Sequence, residues 1–362
     1  MTDFALRRQR LLETVTSDAF IAVNLEGSDP VSLRYLTGFT GEGSLIVSPS
    51  HLVLLTDSRY TEQAGNETES LEIEEGRAWN VKGLFEALDK RNLKSITFAS
   101  ARASVYWYEE LGKLGPLQAD PQRDPVAQLR RIKSNEELEH LRAAAKIADA
   151  ALTELVPWIK VGMNEAEIAL HLEMLIRSAD AEGLAFDINV SAGSNTALNH
   201  YSPFHHAAAL KPGDLLLFDF GANVHGYRSD ITRTFVVGDA SEKSRKIYDT
   251  VLKANCSALD GLHASVTGIE ADAIARELIV EAGFGKNFGH GLGHGIGLEV
   301  HEAPSLSPLS KDTMETGMVV TVEPGIYFAG FGGVRIEDDV VITDSGCEII
   351  TSFPKKELIS VG

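Results

Sequence analysis

Apolar residues recur at two different spacings along this chain, and the spacings predict two kinds of element. After Lys133, Ser134 and Glu137 form a capping-box pattern, which is a signature of a helix N-terminus. The next apolar residues then recur every three or four positions, at Leu138, Leu141, Ala145, Ala148, Leu152 and Leu155. This is the period of an amphipathic helix. Similar start and stop signals predict further helices over about 164–182, 241–262 and 267–282.

Between and after these helices the apolar period changes to two. The runs that show it are LLLFDF at 215–220, ITRTFVV at 231–237, MVVTVE at 318–323 and VRIEDDVVI at 334–342. These runs indicate hairpins rather than the crossovers of a parallel sheet. The sequence therefore predicts an α+β domain in which helices pack on a mostly antiparallel sheet.

The first third of the chain has a different pattern, in which short β-rich runs alternate with helical ones. These runs are AFIAV at 19–23, SLIV at 44–47, HLVLLTDS at 51–58 and SITFAS at 95–100. They predict a smaller α/β domain. Pro121 and Pro125 lie among charged residues that we expect to resist regular structure. We therefore expect two domains, 1–125 and 126–362.

Composition narrows the range of partners. The chain has 362 residues, with 33 basic and 52 acidic side chains and a formal charge of −19. The electrostatic field of so negative a protein repels nucleic acid and anionic membranes. No apolar run reaches membrane-spanning length and no signal-peptide core follows the first basic residues, so we expect a cytoplasmic protein. Two cysteines, Cys256 and Cys347, are too few for a disulfide framework and are interpreted as packing residues.

Two pairs of acidic residues are candidates for chemistry. Asp219 and Asp230 flank the turn-forming segment FGANVHGYRS, and a turn at Val224 and His225 would set them directly opposite each other. Two carboxylates about 5 Å apart favour a cation between them. The alternative is that they are ordinary exposed aspartates.

Glu323 and Glu337 repeat this arrangement, because they are equidistant from Gly330 in the glycine-rich segment AGFGG. Arg335 and Asp339 share a strand face with Glu337 by the period-two rule, which brings a guanidinium to the predicted site. The alternative is a solvated acidic strand end, and Pro324 leaves the register open.

Six of the eleven histidines fall in two short stretches, at His200, His205, His206, His290, His294 and His301. In the stretch FGHGLGHGIGLEVHE, glycine occupies every second position from Gly289 to Gly297, which allows backbone to approach a ligand closely. The alternative is a flexible glycine-rich loop.

Together these segments supply four carboxylates and one or more imidazoles, with no cysteine. Such a ligand set suits Mn²⁺ or Co²⁺, with Zn²⁺ as the alternative, and argues against a thiolate zinc site. Two divalent ions would balance the four carboxylate charges, and a pair about 3.5 to 4 Å apart can hold a bridging water as hydroxide.

Five motifs in one order resemble those of the pita-bread metallopeptidases, in the branch of aminopeptidase P and prolidase. They are LLLFDFGA, SDITRTF, GHGLGHGIGLEVHE, TVEPGIY and GVRIED. RYLTGFTGEGSLIV and TDSRYTEQA near the N-terminus resemble the leading domain of that branch. The resemblance implies a curved pita-bread sheet and a metal-dependent exopeptidase that cleaves Xaa-Pro bonds in peptides or dipeptides.

The resemblance also implies residue roles. The metal ligands would be Asp219, Asp230, His294, Glu323 and Glu337. Asp230 and Glu337 would bridge both ions, and Glu323 would also transfer a proton. His290 and His301 would hold the scissile carbonyl and stabilise the tetrahedral intermediate. His200 would lie near the substrate, and Arg335 would lie beside the bridging glutamate and contact the substrate.

Several alternatives stay open at this point. The motifs do not separate a dipeptidase from an aminopeptidase P, since a dipeptidase needs a cation for the proline carboxylate and an aminopeptidase needs an open cleft. A methionine aminopeptidase shares the metal set but usually lacks the leading domain. A creatinase-like hydrolase or a metal-free binding protein is possible on the same fold. The resemblance further implies a homodimer, and we expect peptides with proline in second position as partners.

Overall fold

The computed structural model describes residues 3–76 and 81–362. Within it the chain divides into two compact units, Met1–Arg130 and Arg131–Gly362. Each unit has its own elements and its own apolar core. Within the described residues, no helix combines the length and the apolar character that a membrane span requires.

The first unit is a mixed α/β domain, as predicted. Its helices are α1 (Phe4–Leu12), α2 (Pro30–Thr37), α3 (Thr61–Glu67), α4 (Val81–Lys90), α5 (Val105–Leu114) and α6 (Pro125–Leu129). Its strands are β1 (Ala19–Asn24), β2 (Gly43–Val47), β3 (Leu52–Thr56), β4 (Glu72–Glu75), β5 (Ser95–Ala99) and β6 (Gln118–Gln122). They form one sheet in the order β4-β3-β2-β1-β5-β6, in which β1 pairs with β2 antiparallel and with β5 parallel.

The proline-containing segment at the end of this unit is regular, contrary to the expectation from sequence. Pro121 lies in β6, which is an edge strand, and edge strands tolerate a residue without an N–H group. Pro125 occupies the first turn of α6, where the missing N–H costs nothing, and Asp124 caps that helix by accepting a hydrogen bond from the Ala127 N–H.

The second unit carries the four predicted helices: α7 (Asn135–Leu155), α8 (Glu165–Ser178), α9 (Glu242–Gly261) and α10 (Gly268–Glu281). Its first strands are β7 (Gly183–Leu184), β8 (Asn189–Ala192), β9 (Leu215–Phe220), β10 (Ala222–Val224), β11 (Tyr227–Arg228) and β12 (Ile231–Val237). The later strands are β13 (Gly293–Gly295), β14 (Glu302–Leu306), β15 (Val319–Val322), β16 (Gly325–Phe328), β17 (Gly332–Arg335), β18 (Asp338–Ile342), β19 (Cys347–Ile349) and β20 (Ser360–Val361). Short 3₁₀ turns occupy Val156–Trp158, Gly193–Ala197 and Gly285–Asn287. The capping boxes predicted at Ser134 and Thr267 are both formed.

Two halves of similar construction make up this unit. In the first half, α7 and α8 bury their apolar faces against the sheet β20-β12-β9-β8. In the second, α9 and α10 do the same against the sheet β14-β13-β15-β18-β19. Strand pairs in the unit are antiparallel except β12 with β20, which agrees with the predicted mostly antiparallel sheet. Both cysteines are free.

Hydrogen bonds join the two halves where β12 meets the chain before β18. Glu337 donates its backbone N–H to the Thr232 carbonyl at 3.1 Å, and the Thr232 hydroxyl donates to Glu337 Oε2 at 2.5 Å. Arg233, which is 2 % exposed, donates from Nη2 to Asp338 Oδ1 at 2.9 Å. The strand ends of the two halves are thus held against each other, and the candidate site lies at this junction.

Candidate metal centre

The five side chains predicted as metal ligands come from strands and strand ends of both halves. Asp219 lies on β9 and Asp230 precedes β12, whereas His294 lies on β13, Glu323 follows β15 and Glu337 precedes β18. Asp230, His294 and Glu337 each offer an atom within 4.8 Å of the other two. His294 Nε2 is 3.3 Å from Glu323 Oε1. The structure brings all five to the wall of a single cleft.

The two aspartates are not directly opposed, so the predicted register of this hairpin is wrong. Asp219 pairs with Thr232, two residues beyond Asp230. The cause is the turn, in which His225 and Gly226 both have positive φ, at 48° and 81°, so the turn lies one residue later than predicted. Because the pairing shifts by two residues, the aspartates still share a face of the sheet.

The two glutamates are opposed as predicted. Val322 pairs with Asp338 on one side of them and Gly325 pairs with Arg335 on the other, and both pairs keep the same register. Between these pairs the hairpin ladder is interrupted. The Glu323 N–H donates to the Leu292 carbonyl, and the Glu337 N–H donates to Thr232 across the junction. Each glutamate is therefore anchored to a neighbouring segment.

The glycine-rich segment is tightly packed, which excludes the alternative of a flexible loop. A Cβ atom on Gly293 would lie 2.0 Å from the Thr321 carbonyl oxygen, and one on Gly295 would lie 2.4 Å from that of Ala303. Only glycine permits this approach, which lets β13 fit between β14 and β15. His294 is held between them, and its N–H donates to the Thr321 hydroxyl at 3.1 Å.

Unpaired oxygens at the site fit a bound cation. Within the described residues, Asp230 Oδ1 is buried and has no hydrogen-bond partner. A buried carboxylate oxygen without a partner is costly unless a cation contacts it. The atoms gathered around it are carboxylate oxygens and one imidazole nitrogen, a set that first-row divalent metals accept. The residues present therefore fit a divalent metal.

Ionisation at the site reflects burial and crowding of like charges. Burial, reinforced by neighbouring carboxylates, raises the pKa of Asp230 and of Glu337 well above their usual values. Burial also raises the pKa of Asp339 to about 8. Burial opposes ionisation of Glu323, but the hydrogen bond and charge of His294 outweigh it and lower the pKa of Glu323. Without cations, the raised pKa values of Asp230 and Glu337 favour their protonated forms, and a bound metal would displace those protons.

Arg335 holds Asp219 rather than pointing into open cleft. Its guanidinium pairs with Asp219 Oδ2 at 2.5 Å, donates from Nε to the Thr232 hydroxyl at 2.9 Å and donates from Nη1 to the Tyr327 hydroxyl at 2.9 Å. The residue is 5 % exposed. Tyr327 was not singled out from sequence, although it ends the motif TVEPGIY, because only the folded chain brings it beside Arg335 and His290.

The predicted histidines divide into two groups. His200, His290, His294 and His301 line the cleft, which has a volume of 710 Å³. His290 contacts the Tyr327 hydroxyl through Nε2 at 3.0 Å, and the ring of His301 lies 4.3 Å from that of His294. Burial lowers the pKa of His290 and of His301, which favours their neutral forms. His205 and His206, whose role was left open, are exposed and are not among the residues that line this cleft.

Sequence reasoning missed Glu165, which organises one wall of the cleft. This fully buried carboxylate accepts hydrogen bonds from the N–H groups of Ala192 and Ala208, at 2.6 and 2.7 Å. It also accepts from Asn195 Nδ2 at 2.9 Å and from the Tyr201 hydroxyl at 2.6 Å. In sequence it is one more acidic residue in the first turn of a helix, and no local signal reveals its four partners.

Comparison with known proteins gives two family matches that together cover most of the chain. Residues 139–344 match metallopeptidase family M24, and residues 7–132 match the creatinase/prolidase N-terminal domain. The Xaa-Pro dipeptidase of Pyrococcus furiosus is 36 % identical over 331 residues, which is 91 % of this chain and 93 % of that protein.

Solved structures give the same result. An X-Pro aminopeptidase from Thermotoga maritima superposes with a TM-score of 0.90 at 38 % identity, over 98 % of this chain and 100 % of the other. An Xaa-Pro dipeptidase from Bacillus anthracis superposes with a TM-score of 0.92, also at 38 % identity, over 99 % and 100 %. These likenesses confirm the predicted fold class, a pita-bread α+β domain preceded by a smaller α/β domain.

Proposed function

This chain belongs to metallopeptidase family M24 and is a divalent-metal-dependent enzyme, and from that premise we propose that it hydrolyses the bond between an N-terminal residue and a following proline. The relatives described above carry this specificity in their names, as dipeptidases or as an aminopeptidase. The observation that carries the proposal is the convergence of four carboxylates and His294 on one cleft of a chain with that ancestry. In a metal-free binding protein, no divalent ion would balance the charge of these four carboxylates.

Two divalent ions are proposed for the site, Mn²⁺ or Co²⁺, with Zn²⁺ as the alternative. The proposed ligands are Asp219, Asp230, His294, Glu323 and Glu337, and by the family resemblance Asp230 and Glu337 would serve both ions. The unpartnered Asp230 oxygen supports this assignment, as does the balance of four carboxylate charges by two divalent ions. Ions bound there would polarise the scissile carbonyl and supply a nucleophile from water at neutral pH.

The protein's own groups position the substrate and move a proton. His301, favoured as a neutral imidazole, donates a hydrogen bond to the scissile carbonyl oxygen and to the charge that develops on it. His290 is also favoured as neutral, and its single N–H donates from Nδ1 to the Gly291 carbonyl at 2.8 Å. Its Nε2 therefore accepts from the Tyr327 hydroxyl and holds that group in place. Glu323 takes a proton from the attacking water and delivers it to the proline nitrogen as the bond breaks. The proline nitrogen must be protonated as it leaves, because an unprotonated nitrogen anion is a very poor leaving group. The lowered pKa of Glu323 keeps its carboxylate ready to accept the first proton.

Arg335 and His200 support the site from either side. The contacts of Arg335 favour a role in orienting Asp219 over the direct substrate contact expected from sequence. His200 is exposed on the cleft wall, where it can contact the residue that precedes proline. Catalysis is assigned to the second domain, proposed to run over 126–362, because the described residues that line the cleft all belong to it.

A homodimer located in the cytoplasm completes the proposal. The dimer rests on the family resemblance, which also suggests that the leading domain partly covers the site of a partner. The charge of −19 supports peptide substrates rather than nucleic acid as partners. Light scattering of the purified chain tests the dimer directly, and a monomeric mass would contradict it.

Matched peptides test the activity itself. With Mn²⁺ or Co²⁺ supplied, Ala-Pro-Ala should release its N-terminal alanine, whereas Ala-Ala-Ala should not. The single difference between the two peptides is the tertiary amide at the scissile bond. Equal release from both would contradict the specificity for proline, and metal analysis of the same sample would show whether the site was loaded.

A further inference from the structure

The charged side chains that line the cleft are mostly acidic. Five carboxylates line it, those of Asp187, Asp219, Asp230, Glu323 and Glu337. Among the described residues that form this lining, Arg335 is the only lysine or arginine. Among these lining residues, a substrate carboxylate therefore has one basic side chain as a candidate partner.

Arg335 is already committed to other partners. Its three nitrogens already serve Asp219, Thr232 and the Tyr327 hydroxyl, and the residue is 5 % exposed. Turning it toward a substrate would break the pair with Asp219 and leave that carboxylate without its counter-charge.

The remaining polar groups on the wall beside His294 are neutral. Ser305 lies directly opposite His294 in the pairing of β13 with β14, and Ser307 follows two residues later with its hydroxyl 3.3 Å from that of Ser305. Both serines are half-buried and line the cleft. Hydroxyls can pair with the carbonyl and N–H groups of a continuing peptide, but they supply no charge to balance a carboxylate.

We propose that the cleft selects peptides that continue beyond proline and disfavours Xaa-Pro dipeptides, because it offers the proline carboxylate no free cationic side chain. This inference rests on the proposed Xaa-Pro activity and favours an aminopeptidase over a dipeptidase. A free carboxylate bound in the cleft loses hydration without gaining such a cationic partner, since the proposed divalent ions would only balance the four carboxylates that hold them. A peptide bond at the same position carries no charge and avoids this cost.

Three substrates separate charge from length. At pH 8, with the metal-loaded protein, kcat/KM should be compared for Ala-Pro, Ala-Pro-amide and Ala-Pro-Ala. The amide matches the dipeptide in size but lacks its negative charge. Both the amide and the tripeptide should exceed Ala-Pro by roughly tenfold or more. Cleavage of Ala-Pro as fast as its amide, or faster, would overturn the inference while leaving the proline specificity intact. If none of the three is cleaved, the proposed function fails and takes this inference with it.

A variant supplies the missing charge. Ser305→Lys brings an ammonium group to the wall opposite His294, and Ser305→Met adds similar length without charge. The lysine variant should raise the ratio of kcat/KM for Ala-Pro to that for its amide, and the methionine variant should leave the ratio near that of the unaltered protein. A ratio that is the same in both folded variants would show that the missing cation does not set the preference, and would overturn the proposal.

Discussion

Replacing Glu165 by glutamine should destabilise the protein and impair catalysis, although Glu165 touches no predicted metal ligand. All four of its partners donate hydrogen bonds, and a carboxylate can accept all of them. A glutamine of the same shape has one accepting oxygen and one donating NH₂ group. Whichever way the amide turns, some donors will face another donor.

The least costly arrangement can be found from the contacts. Tyr201 also reaches the His206 carbonyl at 2.9 Å, so it can donate there and accept from the new NH₂ group. The amide oxygen then keeps Ala192 and Asn195, and the Ala208 N–H alone loses its acceptor. A buried donor left without a partner costs about 1–3 kcal/mol of the free energy of unfolding. For a unit of this size that corresponds to a fall of roughly 2–12 °C in melting temperature.

Activity should fall as well, because the segment that Glu165 ties down carries His200, Tyr201 and Ser202 into the cleft. Displacement of these side chains should lower kcat/KM by roughly tenfold to a hundredfold, measured well below the melting transition and at unchanged metal content. Glu167→Gln is the matched control, since that residue is exposed on the same helix turn. If Glu165→Gln has the same melting temperature and kcat/KM as this control, the Glu165 carboxylate does not organise the wall of the cleft.

Two further predictions concern the metal ligands. Glu323→Gln should lower turnover by about a hundredfold or more, since the carboxylate is proposed both to bind metal and to transfer a proton. Glu315→Gln, which changes an exposed residue, is the control and should leave turnover unchanged. Near-normal turnover by a folded, metal-loaded Glu323 variant would remove this residue from the mechanism. Chelated protein should melt below Mn²⁺-loaded protein by a gap that widens from about pH 5 to 8. Burial raises the folded-state pKa of Asp230 and Glu337, and that of Asp339 to about 8. Without metal, these three carboxyl groups therefore do not destabilise the fold below their unfolded-state pKa values near 4. Their destabilising effect grows as the pH rises through their folded-state pKa values. A gap that stays constant or narrows would contradict a shared carboxylate site.

Local signals predicted much of this architecture, and the failures have definite causes. Helix starts at Ser134 and Thr267 follow from capping boxes, whose physics is contained within four residues. The two glutamates are opposed as their symmetry about Gly330 indicates, although Pro324 left the register of that hairpin open from sequence. The aspartate hairpin was predicted in the wrong register because His225, a residue with a side chain, adopts a positive φ, which composition alone does not indicate.

Contacts between distant segments were beyond reach from the sequence. Glu165 gains its importance from partners 27 to 43 residues away, and Arg335 meets Asp219 across 116 residues. The period-two rule placed Arg335 on the face of Glu337, but it could not show that Tyr327 and Thr232 would occupy the remaining guanidinium nitrogens. The hydrogen-bond partners of a buried side chain depend on tertiary packing, and short-range sequence patterns carry no information about it.

The junction between the two halves has a consequence for how the enzyme matures. Thr232 and Glu337 are 105 residues apart in sequence, yet they form part of one small cluster with Asp230 and His294. While the chain is being synthesised, the cation site stays incomplete until β18 has been made and docked, and the sheet of the first half stays incomplete until β20 follows. Metal acquisition is therefore a late event, and a chain truncated before Glu337 lacks both a proposed metal ligand and the strand that completes the sheet of the first half.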